Sequence, residues 1–206
     1  MNSKIAKWSR RLRGLRFGRP IIVVSGLPRS GTSMAMKMLE AGGIPLVVDG
    51  RRRADEDNPK GYYEDERVKD LASTDDKLWI TNGRGKAIKI ISYLLKELPR
   101  NRNYKVLFMR RNLQEILASQ TKMLQRRGES SDTDDRRMMD LYEDHLWKVG
   151  YLIKHTPHLE VMDLTHREVI EDPESAARQI DDFLGGGLDV EAMARVVDRK
   201  LYRNRA

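Results

Sequence analysis

Residues 21–33 read Ile21-Ile22-Val23-Val24-Ser25-Gly26-Leu27-Pro28-Arg29-Ser30-Gly31-Thr32-Ser33, and this stretch decides the fold. Four β-branched residues make a buried strand over 21–25. A glycine-punctuated loop follows, and Met34, Met38 and Leu39 then keep helical spacing over 32–41. Strand, glycine loop and helix N-terminus in that order form a cradle for a phosphate or sulfate group. Gly26 and Gly31 let the backbone curl, the N–H groups of Ser30 to Ser33 face the anion, and the Thr32 and Ser33 hydroxyls add donors.

The loop keeps the glycine spacing of G-x-x-x-x-G-K-[ST], but Thr32 stands where that motif has lysine; the fixed cation is Arg29 instead. The strand 104–109, Tyr104-Lys105-Val106-Leu107-Phe108-Met109, ends in Arg110-Arg111-Asn112 rather than in an acid that would hold magnesium. The pattern predicts a metal-free cradle with two anion pockets.

Working outward, strand and helix alternate. A second strand is expected at 44–48, and a charged loop over 49–61 carries Arg51-Arg52-Arg53 and turns at Asn58-Pro59 and Lys60-Gly61. A helix is expected over 63–71, a buried strand over 86–91 and a helix over 92–98. Beyond strand 104–109 come a helix over 112–127, a polar connection, a helix over 136–155 with Asp134 or Asp135 at its cap, and a strand over 159–164. Helices over 173–184 and 189–197 close the chain. Strands separated by helices predict an α/β fold, a P-loop-like three-layer α/β/α arrangement around a mostly parallel sheet, with the ligand at the carboxyl ends of the strands.

The chain of 206 residues has no cysteine, which excludes disulfides and thiolate chemistry and suits a reducing cytoplasm. It contains no run of the ~20 apolar residues that a membrane span needs. Of the net charge of +8, seven cations and no acid fall in residues 1–19, so the body at 20–206 is close to neutral. This basic arm, with Ile5, Trp8, Leu12 and Leu15 at helical spacing, is read as a short amphipathic helix. It either packs on its own domain or a partner subunit, or touches an anionic membrane surface. Nucleic acid is not an expected partner, because the basic residues are concentrated on the arm and no aromatic platform accompanies them.

Pro28 to Ser33, followed by Arg111-Asn112 with Ser119 eight residues beyond the arginine, resembles the two motifs of sulfotransferases that use 3′-phosphoadenosine 5′-phosphosulfate (PAPS). The wider pattern, including 58–64 and Leu201 to Arg205, is similar to small bacterial members of that family. The resemblance implies transfer of a sulfuryl group to an acceptor hydroxyl or amine, release of 3′,5′-ADP, and no metal. It implies that Ser30, Gly31, Thr32 and Ser33 bind the donor with Arg29, and that Arg29 also neutralises the leaving phosphate. Arg111 and Ser119 would hold the 3′-phosphate, with Arg110 as a substitute for Arg111 and Arg203, beside Lys200, as a C-terminal clamp.

Lys89, in the apolar run Ala87 to Ile91, occupies the place of a lysine that assists catalysis in the tyrosylprotein branch; alternatively it snorkels to solvent. Glu64, read as opening the helix after the 59–61 turn, is the candidate general base, with Asp65 and Glu66 as rivals. Other branches of the family use a histidine as the base, but none of His145, His155, His158 and His166 follows a suitable strand near the two motifs. His166-Arg167-Glu168-Val169 departs from the Tyr-Glu-Asp-Leu of many relatives, and Asn112-Leu113 from their Asn-Pro or Asp-Gly. A P-loop nucleotide kinase and a catalytically inactive binding protein are the alternative functions, and a homodimer is an open expectation.

Overall fold

A computed structural model describes residues 14–50, 63–129 and 134–198. Most of the basic arm, the 51–62 segment and the C-terminal stretch with Lys200 and Arg203 lie outside the described residues.

Four strands, β1 (Ile21–Gly26), β2 (Ala87–Lys89), β3 (Tyr104–Arg110) and β4 (Leu159–Thr165), form one parallel sheet in the order β2-β1-β3-β4. Its residues sort by parity, as side chains on a pleated strand must. Ile22, Val24, Leu107, Met109 and Leu164 face Met36 and Leu39 of α1 (Thr32–Ala41), Ile180 of α5 (Pro173–Leu184) and Met193 of α6 (Val190–Arg195). Ile21, Val23, Val106, Phe108 and Leu159 face the other way, toward Val149 of α3 (Asp135–His155) and Leu95. The expected three layers are therefore present. Burial on both faces explains why β1 reads as an unbroken apolar run.

A smaller cluster fixes α2 (Leu113–Arg127). Ile116 and Leu117 pack with Tyr142 of α3 and with Leu27, so the loop after β1 has its own apolar footing. The register pairs Gly26 with Met109 and Arg110 with Thr165, which brings the carboxyl ends of β1, β3 and β4 to a common edge.

Some expectations are corrected. Residues 44–48 do not form a strand: Leu46 makes a single bridge to Ala87, with Val47 N–H donating to the Ala87 carbonyl at 2.8 Å. β2 is only three residues long, and Pro45 has no N–H to extend the ladder. The helices expected over 63–71 and 92–98 are 3-10 turns, Glu66–Ala72 and Ser92–Glu97. A further turn at Leu78–Gly83 and a short helix α4 (His166–Glu171) had no expectation. Asp134 sits at the cap of α3 but makes no side-chain bond there.

The helix α5 expected over 173–184 is present, bounded by local capping groups. Pro173 takes the first turn, the Asp172 side chain accepts the Ser175 N–H at 3.0 Å, and Gly185 closes the helix with φ 111°. Asp172→Ala should cost about 1 kcal/mol of unfolding free energy and lower Tm by about 2–4 °C in a thermal melt.

Candidate active site

The loop after β1 is held in a conformation that its sequence tolerates at few positions. A Cβ on Gly26 would lie 2.5 Å from Ser30 Oγ and 2.6 Å from the Met109 carbonyl oxygen. Gly31 has φ 100°, and a Cβ there would meet His166 Cδ2 at 2.5 Å. Arg29 itself sits in the left-handed region with φ 67°, a conformation that costs a non-glycine residue about 1–3 kcal/mol. Gly31 is also the N-cap of α1, so no cap side chain turns inward onto the first-turn N–H groups. The hydroxyls of Ser25 and Ser30, at the strand end and in the loop, are buried without a hydrogen-bond partner. Buried hydroxyls left unmatched by the protein are suited to an anion, and this donor set fits a phosphate or sulfate group.

The second motif reaches across to the first. Arg111, just past β3, donates through Nε to Glu115 Oε2 at 2.8 Å and through Nη1 to the Arg29 carbonyl at 3.0 Å. Arg29 Nε donates in turn to Ser119 Oγ at 3.0 Å. The Arg111 and Glu115 side chains are 9% and 6% exposed, so this ion pair is buried. Asn112 makes the geometry available by capping α2, its Oδ1 accepting from the Gln114 and Glu115 N–H groups. Arg110 faces away: it pairs with Asp163 at 2.7 Å on β4 and is 42% exposed. The residues of the two motifs are therefore joined through Arg29, and Arg111 rather than Arg110 is the arginine at the loop.

A third cluster lies at the end of β2. Lys89 Nζ donates to Ser33 Oγ at 3.3 Å and to Glu64 Oε1 at 3.1 Å, with the lysine side chain 10% exposed. It is a buried, paired lysine and does not snorkel. The rival carboxylates are engaged elsewhere: Asp65 holds Arg67 through two bonds of 2.9 and 2.7 Å, and Glu66 holds Lys69 at 2.8 Å. Glu64 does not open a helix, because the 3-10 turn begins at Glu66; the helix-terminus reading is corrected.

Backbone and neighbours aim Glu64 instead. Its carbonyl accepts the Asp49 N–H at 3.2 Å, while Asp49 Oδ2 accepts the Glu66 N–H at 2.8 Å. Tyr63, immediately before it, is bent to φ 53°, and its hydroxyl donates to Glu40 Oε2 at 3.2 Å on α1. Burial, with Glu40 beside it, pushes the Tyr63 phenol up to about 12.

The structure brings in His166, which the sequence reading had set aside. It opens α4 directly after β4, is 7% exposed, and its ring packs on Gly31. The expectation that none of the histidines follows a strand near the two motifs is thereby corrected, since β4 pairs with β3. A signal was available: a residue following a parallel strand emerges at the same edge as the loops after β1 and β3. Burial above all, then the Arg111 charge, pulls the imidazole down from 6.5 to about 4, with Glu115 opposing. Thr32 is buried at the start of α1. The Arg203 clamp lies outside the described residues.

Two outcomes test this packing. Gly31→Ala should cost about 1–3 kcal/mol of stability in urea unfolding, and His166→Ala in the same chain should recover part of it. His166 prefers its neutral form in the fold, so its contribution is complete above pH 6.5 and is lost as pH falls toward 4. The difference in unfolding free energy between wild type and His166→Gln should shrink across that window by about 3 kcal/mol.

No protein-family model matches the chain, and no curated protein matches it in sequence. Solved structures do. Sulfotransferase STF9 from Mycobacterium avium is similar over 99% of this chain and 73% of its own, at 15% identity and a TM-score of 0.54. The sulfotransferase domain from the Synechococcus PCC 7002 olefin synthase is similar over 91% of this chain and 81% of its own, at 14% identity and a TM-score of 0.51. At such identities the likeness speaks for architecture, and the architecture is plain: this chain has the fold of the sulfotransferases.

Proposed function

We propose that the protein is a PAPS-dependent sulfotransferase that moves a sulfuryl group to an acceptor hydroxyl or amine and releases 3′,5′-ADP. One observation carries the reading. The arginine of the glycine loop and the serine of the second motif, 90 positions apart, are hydrogen-bonded at the sheet edge where Arg111 holds the loop carbonyl. The anion-binding groups that a donor with two phosphorylated ends requires are thus contiguous. The motif resemblance supplies the identity of the donor, and the absence of cysteine from the sequence suits a cytoplasmic setting.

In this reading the loop N–H groups and the Ser30 and Thr32 hydroxyls grip the donor's 5′-phosphate, while Arg111 and Ser119 take its 3′-phosphate. Glu64 accepts the acceptor's proton as the acceptor oxygen, or nitrogen, bonds to sulfur. The bond between sulfur and the bridging oxygen breaks, its electron pair leaves on the 5′-phosphate, and Arg29 and Lys89 neutralise the charge that collects there. Lys89, already hydrogen-bonded to both Ser33 and Glu64, stands between the base and the cradle. A transferred group with little net negative charge leaves no requirement for magnesium.

The test is transfer of labelled sulfate from PAPS, without ATP or added metal, across a panel of phenols, sugars, lipids and peptides. With a competent acceptor, Glu64→Gln should lower kcat by about 10²–10⁴-fold and leave 3′,5′-ADP affinity unchanged in calorimetry. Arg111→Ala should instead weaken 3′,5′-ADP binding. A wild-type protein with no measurable affinity for PAPS or 3′,5′-ADP would overturn the proposal.

A further inference from the structure

The helix α3 buries Tyr142 and Val149 against the body and turns a second, unusual face to solvent. Trp147 is 69% exposed and Tyr151 58% exposed, and their rings stack at 6.1 Å between centroids. The ladder continues to His155, whose ring lies 4.1 Å from that of Tyr151. An indole and a phenol so far out of the core are costly to leave in water and are typical of contact surfaces.

What would cover this face is written in its charges. Asp140, Glu143, Trp147, Tyr151 and Lys154 are all exposed and follow one another at intervals of three, four, four and three residues. That spacing keeps them on one helical stripe and makes the stripe symmetric about Trp147. Asp140 and Lys154 lie equally far from the tryptophan on opposite sides, as do Glu143 and Tyr151. No ion pair within the described residues engages Asp140, Glu143 or Lys154, whereas the neighbouring Asp144 and Lys148 satisfy each other at 2.6 Å.

Gly150, beside the stripe, adds an independent mark. It sits inside the helix, where glycine weakens the element, yet a Cβ there would meet nothing within 4 Å. The chain itself gives no reason for a glycine; a second backbone passing close by would.

We propose that this face of α3 is a homodimer interface, in which a second copy packs its own α3 antiparallel across a twofold axis at Trp147. The two tryptophans then meet at the axis. Asp140 of each copy faces Lys154 of the other, and Glu143 accepts a hydrogen bond from the other copy's Tyr151 hydroxyl. Acid meets base at both ends only in the antiparallel arrangement, because the parallel one would place like charges together. The inference does not depend on the sulfotransferase reading.

Sedimentation velocity on the full chain from about 1 to 200 μM tests it, a range matched to the modest affinity of a small interface. Wild type should associate to a dimer. Trp147→Glu, an exposed substitution whose folding is checked by circular dichroism, should remain monomeric. Asp140→Lys should weaken association by at least about tenfold, because the twofold axis turns both Asp140–Lys154 pairs into like-charge contacts, and Asp140→Lys with Lys154→Asp should restore it. A wild type that stays monomeric throughout, or a dimer indifferent to Trp147→Glu or to the single charge reversal, would overturn the proposal.

Discussion

The Arg111 guanidinium is the joint on which the candidate site depends. Buried beside Glu115, it spends one donor on that carboxylate and another on the carbonyl of Arg29. A guanidinium taken out of water needs such partners, and breaking a buried pair of this kind costs about 3–5 kcal/mol. The Arg29 carbonyl it holds belongs to a residue in the left-handed region, so the ion pair helps keep a strained loop in place. The Arg29 side chain donates in its turn to Ser119. One buried charge thereby couples the strand-end arginine, the glycine loop and the first turns of α2.

Around that joint the site is assembled by exclusion as much as by attraction. Gly26 is glycine because Ser30 and the Met109 carbonyl occupy the space a side chain would take, and Gly31 because His166 does. Burial keeps the His166 ring neutral and spares the anion cradle a proton-bearing neighbour whose charge would vary with pH. On the far side, Asp65 and Glu66 are occupied by Arg67 and Lys69, which leaves Glu64 as the carboxylate of that run turned to Lys89. Specific roles for neighbouring acids emerge here from their partners and not from their intrinsic acidity.

Much of the fold was legible because it rests on local rules. The uninterrupted apolar runs of β1 and β3 and the Pro173 start and Gly185 stop of α5 are each set by a few adjacent residues. The misreadings fall where length or context decides. The 44–48 segment has strand-like composition but only a three-residue neighbour to pair with. The Ser92–Glu97 stretch has helical spacing but closes as a 3-10 turn. His166 was set aside because its place is fixed by contact with Gly31, which is far away in sequence.

Sequence alone determined the strand, glycine loop and helix over 21–41, the apolar strand 104–109 and the parallel α/β class, since backbone curvature and side-chain periodicity are properties of residues and their immediate neighbours. Only the tertiary structure decided that Arg111 and not Arg110 meets the loop, that Lys89 is paired to Glu64, and that a histidine lies beneath the cradle. Those facts depend on the register of parallel strands joined by long crossovers. A shift of one residue there exchanges the two faces of the sheet, and no local pattern in the chain fixes it.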